Sequence, residues 1–67
     1  MKIVEILFLD RDLGKLTRFE ILSYLFEMLT KEPMLTAEIL SELKACKHAD
    51  SAFVYRSLSE LLAEKNE

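Results

Sequence analysis

Residues 17–31 read TRFEILSYLFEMLTK, and this stretch decides the fold. Its first four residues match a capping box, in which the Thr17 hydroxyl accepts from the amide three residues on and the Glu20 carboxylate reaches back to the Thr17 amide. Apolar residues then recur at spacings of three and four, typical of a helix with one buried face. They are Ile21, Leu22, Leu25, Met28 and Leu29. Pro33 lacks an amide donor and restricts Glu32, so the helix is predicted to end near Lys31.

Two further helices are predicted after Pro33. Thr36 is a candidate cap for the first, which ends near Cys46, and Asp50 or Ser51 can cap the last, which runs to about residue 65. The stripe of the first helix is Ile39, Leu40 and Leu43. The stripe of the last is Val54, Leu58, Leu61 and Leu62. Three capped helices, of which the second is short, have the order of a helix-turn-helix core, although such bundles are also common as plain scaffolds.

The amino-terminal segment, residues 2–12, is apolar nearly all round and fits neither the period of a strand nor that of a helix. A lone strand would need an edge from another molecule, whereas a helix ending before Gly14 needs only the left-handed cap that glycine supplies. Helix is favoured and strand stays open. The predicted fold class is therefore all-α, a three-helix core with an additional apolar amino-terminal helix or strand, in a single domain covering residues 1–67.

Composition limits the classes of function. The chain has 67 residues, of which 51% are hydrophobic, and a formal net charge of -3. A core this small leaves a thin margin of stability, so leftover apolar surface is expected to seek a partner subunit. The negative charge counts against nucleic acid, because proteins that bind phosphates usually carry a basic excess.

The cysteine count and the apolar run from Ile3 to Leu9 bear on location. Cys46 is the single cysteine, which excludes an internal disulfide and a zinc site and favours a reducing cytoplasm, with packing as its expected role. The apolar run is too short for a bilayer and lacks a cleavage site, so no membrane association is expected. The sequence indicates no nucleophile that would accompany His48, so this residue is interpreted as a surface residue near a helix end. Neither an enzyme activity nor a cofactor is expected.

Several motifs recur in the order and at separations similar to those of a known family. They are Leu16-Thr17-Arg18, Ile21-Leu22 with Leu25, Leu35-Thr36-Ala37-Glu38, and Val54-Tyr55-Arg56 with Leu58. Over about residues 14–65 the chain resembles the winged-helix DNA-binding domain of the ferric uptake regulator family. The 67 residues include neither that family's two-stranded wing nor its metal-binding dimerisation domain, so metal sensing is not expected.

The resemblance implies a small DNA-binding transcription regulator that uses its last helix for recognition. Tyr55 would then face the major groove and Arg56 would pair with a backbone phosphate, with Ser51 and Arg18 completing the DNA-binding set. Two bland alternatives remain open: Tyr55 borders the core with its hydroxyl in water, and Arg56 forms a weak surface ion pair with Glu60.

Phe53 departs from the family pattern, because it replaces a polar threonine on a side that should meet DNA. An exposed Phe indicates a protein contact, so the alternative function is a protein-interaction module, an adaptor or modulator of another regulator, on the same fold. Its predicted interface is Ile3, Ile6, Leu7, Phe8 and Phe53. A homodimer joined through the apolar amino-terminal segment is also predicted, since a lone domain without a wing would bind DNA weakly.

Overall fold

Helices form most of residues 2–65, which are the residues that this computed structural model describes. The α-helices are α1 (Ile3–Asp12), α2 (Arg18–Lys31), α3 (Thr36–Ala45) and α4 (Ser51–Lys65), and a 3-10 turn (Pro33–Leu35) joins α2 to α3. The all-α class is confirmed. Residues 2–65 contain no strand, so the alternative of an amino-terminal strand is wrong.

The end of α1 is fixed by Gly14. Its φ of 76° lies in the left-handed region, where a glycine has no Cβ to clash. The Gly14 amide donates to the Arg11 carbonyl at 3.1 Å and the Lys15 amide donates to the Asp10 carbonyl at 2.9 Å. This pair of bonds is a Schellman motif, which satisfies carbonyls that the helix end would leave unbonded. The predicted glycine cap is confirmed.

The start of α2 has the predicted capping box. The Glu20 amide donates to the Thr17 hydroxyl at 3.1 Å, and the Thr17 amide donates to the Glu20 carboxylate at 2.9 Å. The predicted cap of α3 is wrong. Thr36 is the first residue of that helix, and its hydroxyl donates to the Pro33 carbonyl at 2.8 Å rather than accepting from an amide. The 3-10 turn before α3 places Leu35 at the capping position and shifts Thr36 inward.

The core lies where α4 packs against α2 and α3, and α1 packs across the same two helices. Its buried side chains are Val4, Leu7, Phe8, Ile21, Leu25, Leu29, Ile39, Leu43, Val54 and Leu58. The predicted stripes extend beyond this set, because Leu22, Met28, Leu40 and Leu62 only border it and Leu61 is half-exposed. Within residues 2–65 no helix is both long and apolar enough to span a bilayer.

Candidate functional site

Helix α4 presents its outer side to a groove that it shares with α3. Val54 and Leu58 are fully buried, and this fixes the rotation of the helix. Arg56, which lies between them, therefore projects away from the core. The groove has a volume of about 530 Å³. Its lining is Leu43, Lys44, Cys46, Ser51, Ala52, Tyr55, Arg56, Ser59 and Glu60. We call this surface the α3–α4 groove.

The α3–α4 groove brings together two cations, an aromatic ring and one anion. Arg56 and Lys44 are exposed, Tyr55 is half-buried against the core, and Glu60 is exposed. Within residues 2–65, Arg56 forms no ion pair with Glu60 within 4.0 Å, although the two are one helical turn apart. Its guanidinium is therefore available to a ligand. Tyr55 has features of both interpretations, the residue that borders the core and the residue that faces a ligand, since it packs against the core and also lines the groove.

Lys44 was absent from the predicted DNA-binding residues. It lies in the last turn of α3, where a cation complements the helix dipole. That structural role is sufficient to account for a lysine at this position. Lys44 lines the same groove as Arg56 because α3 packs against α4, and the sequence pattern does not reveal that packing. A lysine one turn before the connection to the last helix was the available signal.

Ser51 lines the α3–α4 groove and is almost completely buried. It is only 5% exposed, and the single hydrogen of its hydroxyl is shared between the carbonyls of Cys46, at 3.0 Å, and His48, at 2.8 Å. These bonds satisfy carbonyls in the turn before α4. The Ser51 hydroxyl therefore hydrogen bonds within the chain, and a DNA contact by Ser51 stays a prediction.

Arg18 lies beside the start of α4, against residues that do not line the α3–α4 groove. Its guanidinium carbon lies 4.4 Å from the centre of the Phe53 ring and 5.1 Å from that of Phe19, and Nη1 is 3.7 Å from the Asp50 carboxylate. The Phe19 and Phe53 rings meet edge to face at 5.6 Å. Arg18 therefore joins α2 to α4, and the same contacts leave Phe53 half-buried rather than exposed.

The connection between α3 and α4 is tied to α1 by His48. Its Nδ1 accepts from the Asp50 amide at 3.0 Å, so in the neutral ring Nε2 carries the hydrogen and donates to the Asp12 carboxylate at 2.7 Å. The ring also stacks on Phe8, with centroids 4.7 Å apart. The description of His48 as a simple surface residue is thus corrected, since α1 supplies two partners, Asp12 and Phe8, and the connection itself supplies the Asp50 amide.

The Asp50 carboxylate is a second point at which the connection between α3 and α4 contacts α1. The Arg11 Nε donates to the Asp50 carboxylate at 3.0 Å, and Arg18 approaches the other oxygen of the same carboxylate. We call Arg11, Asp12, Arg18, His48 and Asp50 the paired corner. Sequence reasoning missed it, because its members are as many as 39 positions apart along the chain.

The five residues predicted to form a protein interface occupy different environments. Leu7 and Phe8 are buried in the chain's own core, and Ile3 packs partly against it, so these three contribute to the core of the chain itself. Ile6 is 40% exposed. Phe53, the fifth, belongs with Arg18 and Phe19 as described above.

Among residues 2–65, no group of three or more His, Cys, Asp or Glu side chains is placed to hold a metal ion. Cys46 is half-buried against the core, which agrees with its expected packing role.

No protein-family model, no curated protein and no solved structure matches this chain. The resemblance to the ferric uptake regulator family therefore stays a prediction from the motifs.

Proposed function

We propose that the chain binds duplex DNA through the outer side of α4, as a small transcription regulator with a helix-turn-helix made of α3, the connecting residues 46–50, and α4. The observation that carries this proposal is that Tyr55, Arg56 and Lys44 line one groove with both cations exposed. An exposed cation can release counterions by pairing with phosphate, and a neighbouring aromatic ring can contact base edges.

The chain's formal net charge of -3 makes the expected affinity weak. Two cations can neutralise only a few phosphates, and Glu60, which lies in the same groove, repels the phosphate backbone of DNA. Binding should therefore be measurable at low salt and should fall as salt rises, with a shallow slope. A sequence-specific operator is not needed for this first test.

The experiment measures fluorescence anisotropy of a labelled mixed-sequence duplex over a series of salt concentrations. Arg56→Ala and Lys44→Ala should each weaken binding and reduce the slope of log affinity against log salt by about 0.9, the value for one phosphate contact. Lys31→Ala removes the same charge from the end of α2, outside the groove, and should leave the slope unchanged. Absence of binding to any duplex at low salt would refute the proposal.

A second candidate function is a protein-interaction module, favoured by the outer side of α1 and of Leu13, the residue that caps its carboxyl end. Ile6, Leu9 and Leu13 are 40%, 58% and 61% exposed, and they recur at spacings of three and four opposite the buried Val4, Leu7 and Phe8. An apolar stripe on the solvent side of a surface helix is typical of a docking site. We call these three residues the α1 stripe, and Leu9→Asp is the substitution that would remove it.

A further inference from the structure

We infer that the α1 stripe docks a basic amphipathic helix of a different protein. This inference rests on the second candidate function above and is independent of DNA binding. It adds the chemistry of the partner, which follows from the charges that surround the stripe.

Acidic side chains flank the α1 stripe on both sides. Positions 6, 9 and 13 have the a and d spacing of a heptad, in which the neighbouring e and g positions select partners by charge. Glu5 and Asp12 occupy one flank and Asp10 the other. Among residues 2–65, Glu5 and Asp10 form no ion pair within 4.0 Å, and Asp12 contacts only His48.

The acidic flank continues from α1 onto α3. Two adjoining grooves along this edge are lined by Glu5, Glu38 and Glu42, with Lys2 as the one cation in either lining. Glu5 and Glu38 are exposed, so a bound helix would meet carboxylates along this edge as well as beside the α1 stripe.

The same charges argue against a second copy of this chain as the occupant. Two copies joined through the α1 stripe would bring Glu5, Asp10 and Asp12 of one chain beside the same acids of the other, in either direction of the helices. Like charges at these flanking positions destabilise a helix pair. We therefore favour a partner of opposite charge over the predicted homodimer through this segment. The stripe is short, so the interaction should be weak and transient.

The test uses the full chain and three synthetic peptides of about three heptads each. The first has leucine at a and d and lysine at e and g, the second replaces those lysines with glutamate, and the third has the composition of the first in scrambled order. Affinity is measured by fluorescence anisotropy at low and at physiological salt. Circular dichroism of every variant verifies that the fold is intact.

The patterned basic peptide should bind at least about tenfold more tightly than its acidic twin and than the scrambled peptide. Leu9→Asp should lower its affinity about tenfold, and Glu5→Lys should lower it severalfold. Met34→Asp, at a residue 78% exposed in the 3-10 turn, and Glu64→Lys, on α4, are matched controls that should change nothing.

Each contrary outcome has a separate meaning. Equal binding of basic and acidic patterned peptides, with both lost in Leu9→Asp, would keep the docking surface and overturn the inferred charge of the partner. No effect of Leu9→Asp would overturn the docking surface itself. If the scrambled peptide bound as tightly as the patterned basic peptide, the attraction would be due to net charge alone, and a helical docking mode would be overturned. Sedimentation showing a dimer that Leu9→Asp dissociates would replace the basic partner by a second copy.

Discussion

The paired corner and the α3–α4 groove both lie near the start of α4, and both contain cations and carboxylates. In the paired corner each charged group has a partner: Arg11 and Arg18 share the carboxylate of Asp50, and His48 donates to Asp12. In the α3–α4 groove, Arg56 and Lys44 are exposed to solvent. The difference teaches that an arginine in a recognition motif is available to DNA only where the fold provides no internal anion for it.

The largest expected difference between the two regions is in stability. Asp50→Ala leaves two partly exposed guanidinium groups without their shared carboxylate and loosens the connection before α4, so it should lower the free energy of unfolding by about 1.5 kcal/mol. Glu60→Ala removes the same charge from the α3–α4 groove and should change it by less than about 0.5 kcal/mol. Urea denaturation followed by circular dichroism measures both. Equal effects would show that the paired corner contributes nothing particular to the fold.

A smaller effect is expected at Arg18. Arg18→Ala removes the contacts with the Phe19 and Phe53 rings and the ion pair with Asp50, and should lower the free energy of unfolding by about 1 kcal/mol. Arg18→Lys keeps the charge but loses the planar group that covers the rings, so it should recover only part of this loss. Thermal unfolding of the three proteins checks the order. Full recovery in Arg18→Lys would mean that charge alone matters at this position.

The sequence contained enough local information for the helices. The capping box at Thr17, the glycine at position 14 and the stop at Pro33 each depend on residues within one helical turn, and these features are in the structure as predicted. The Thr36 cap failed because the 3-10 turn of residues 33–35 displaced the start of α3. A residue's local cap preference is overridden when the preceding turn is tightened by proline.

The candidate site was less predictable. Tyr55 and Arg56 follow from a motif on one helix, and the structure places both at the surface groove. Ser51 and Arg18 belong to equally plausible motifs, yet their partners come from elsewhere in the fold: the Cys46 carbonyl for Ser51, and the Phe53 ring for Arg18. Pairings of this kind depend on how helices pack, and helix periodicity carries no information about them.

The amino-terminal segment illustrates the same limit in another form. Its apolar residues fit no single period because α1 has two apolar sides, one in the core and one facing solvent. Leu7 and Leu9 are alike in type, but Leu7 is buried and Leu9 is exposed. Only the placement of α1 across α2 and α3 distinguishes the core side from the α1 stripe.

The central claim is that Arg56 contacts DNA and Arg18 supports the fold, and one measurement tests it most directly. The salt dependence of duplex binding is compared for the unmodified chain, Arg56→Ala and Arg18→Ala at a temperature where all three are folded. We predict that Arg56→Ala reduces the slope by about 0.9 and that Arg18→Ala leaves the slope unchanged. The claim would be contradicted if Arg18→Ala reduced the slope while Arg56→Ala left it as it was.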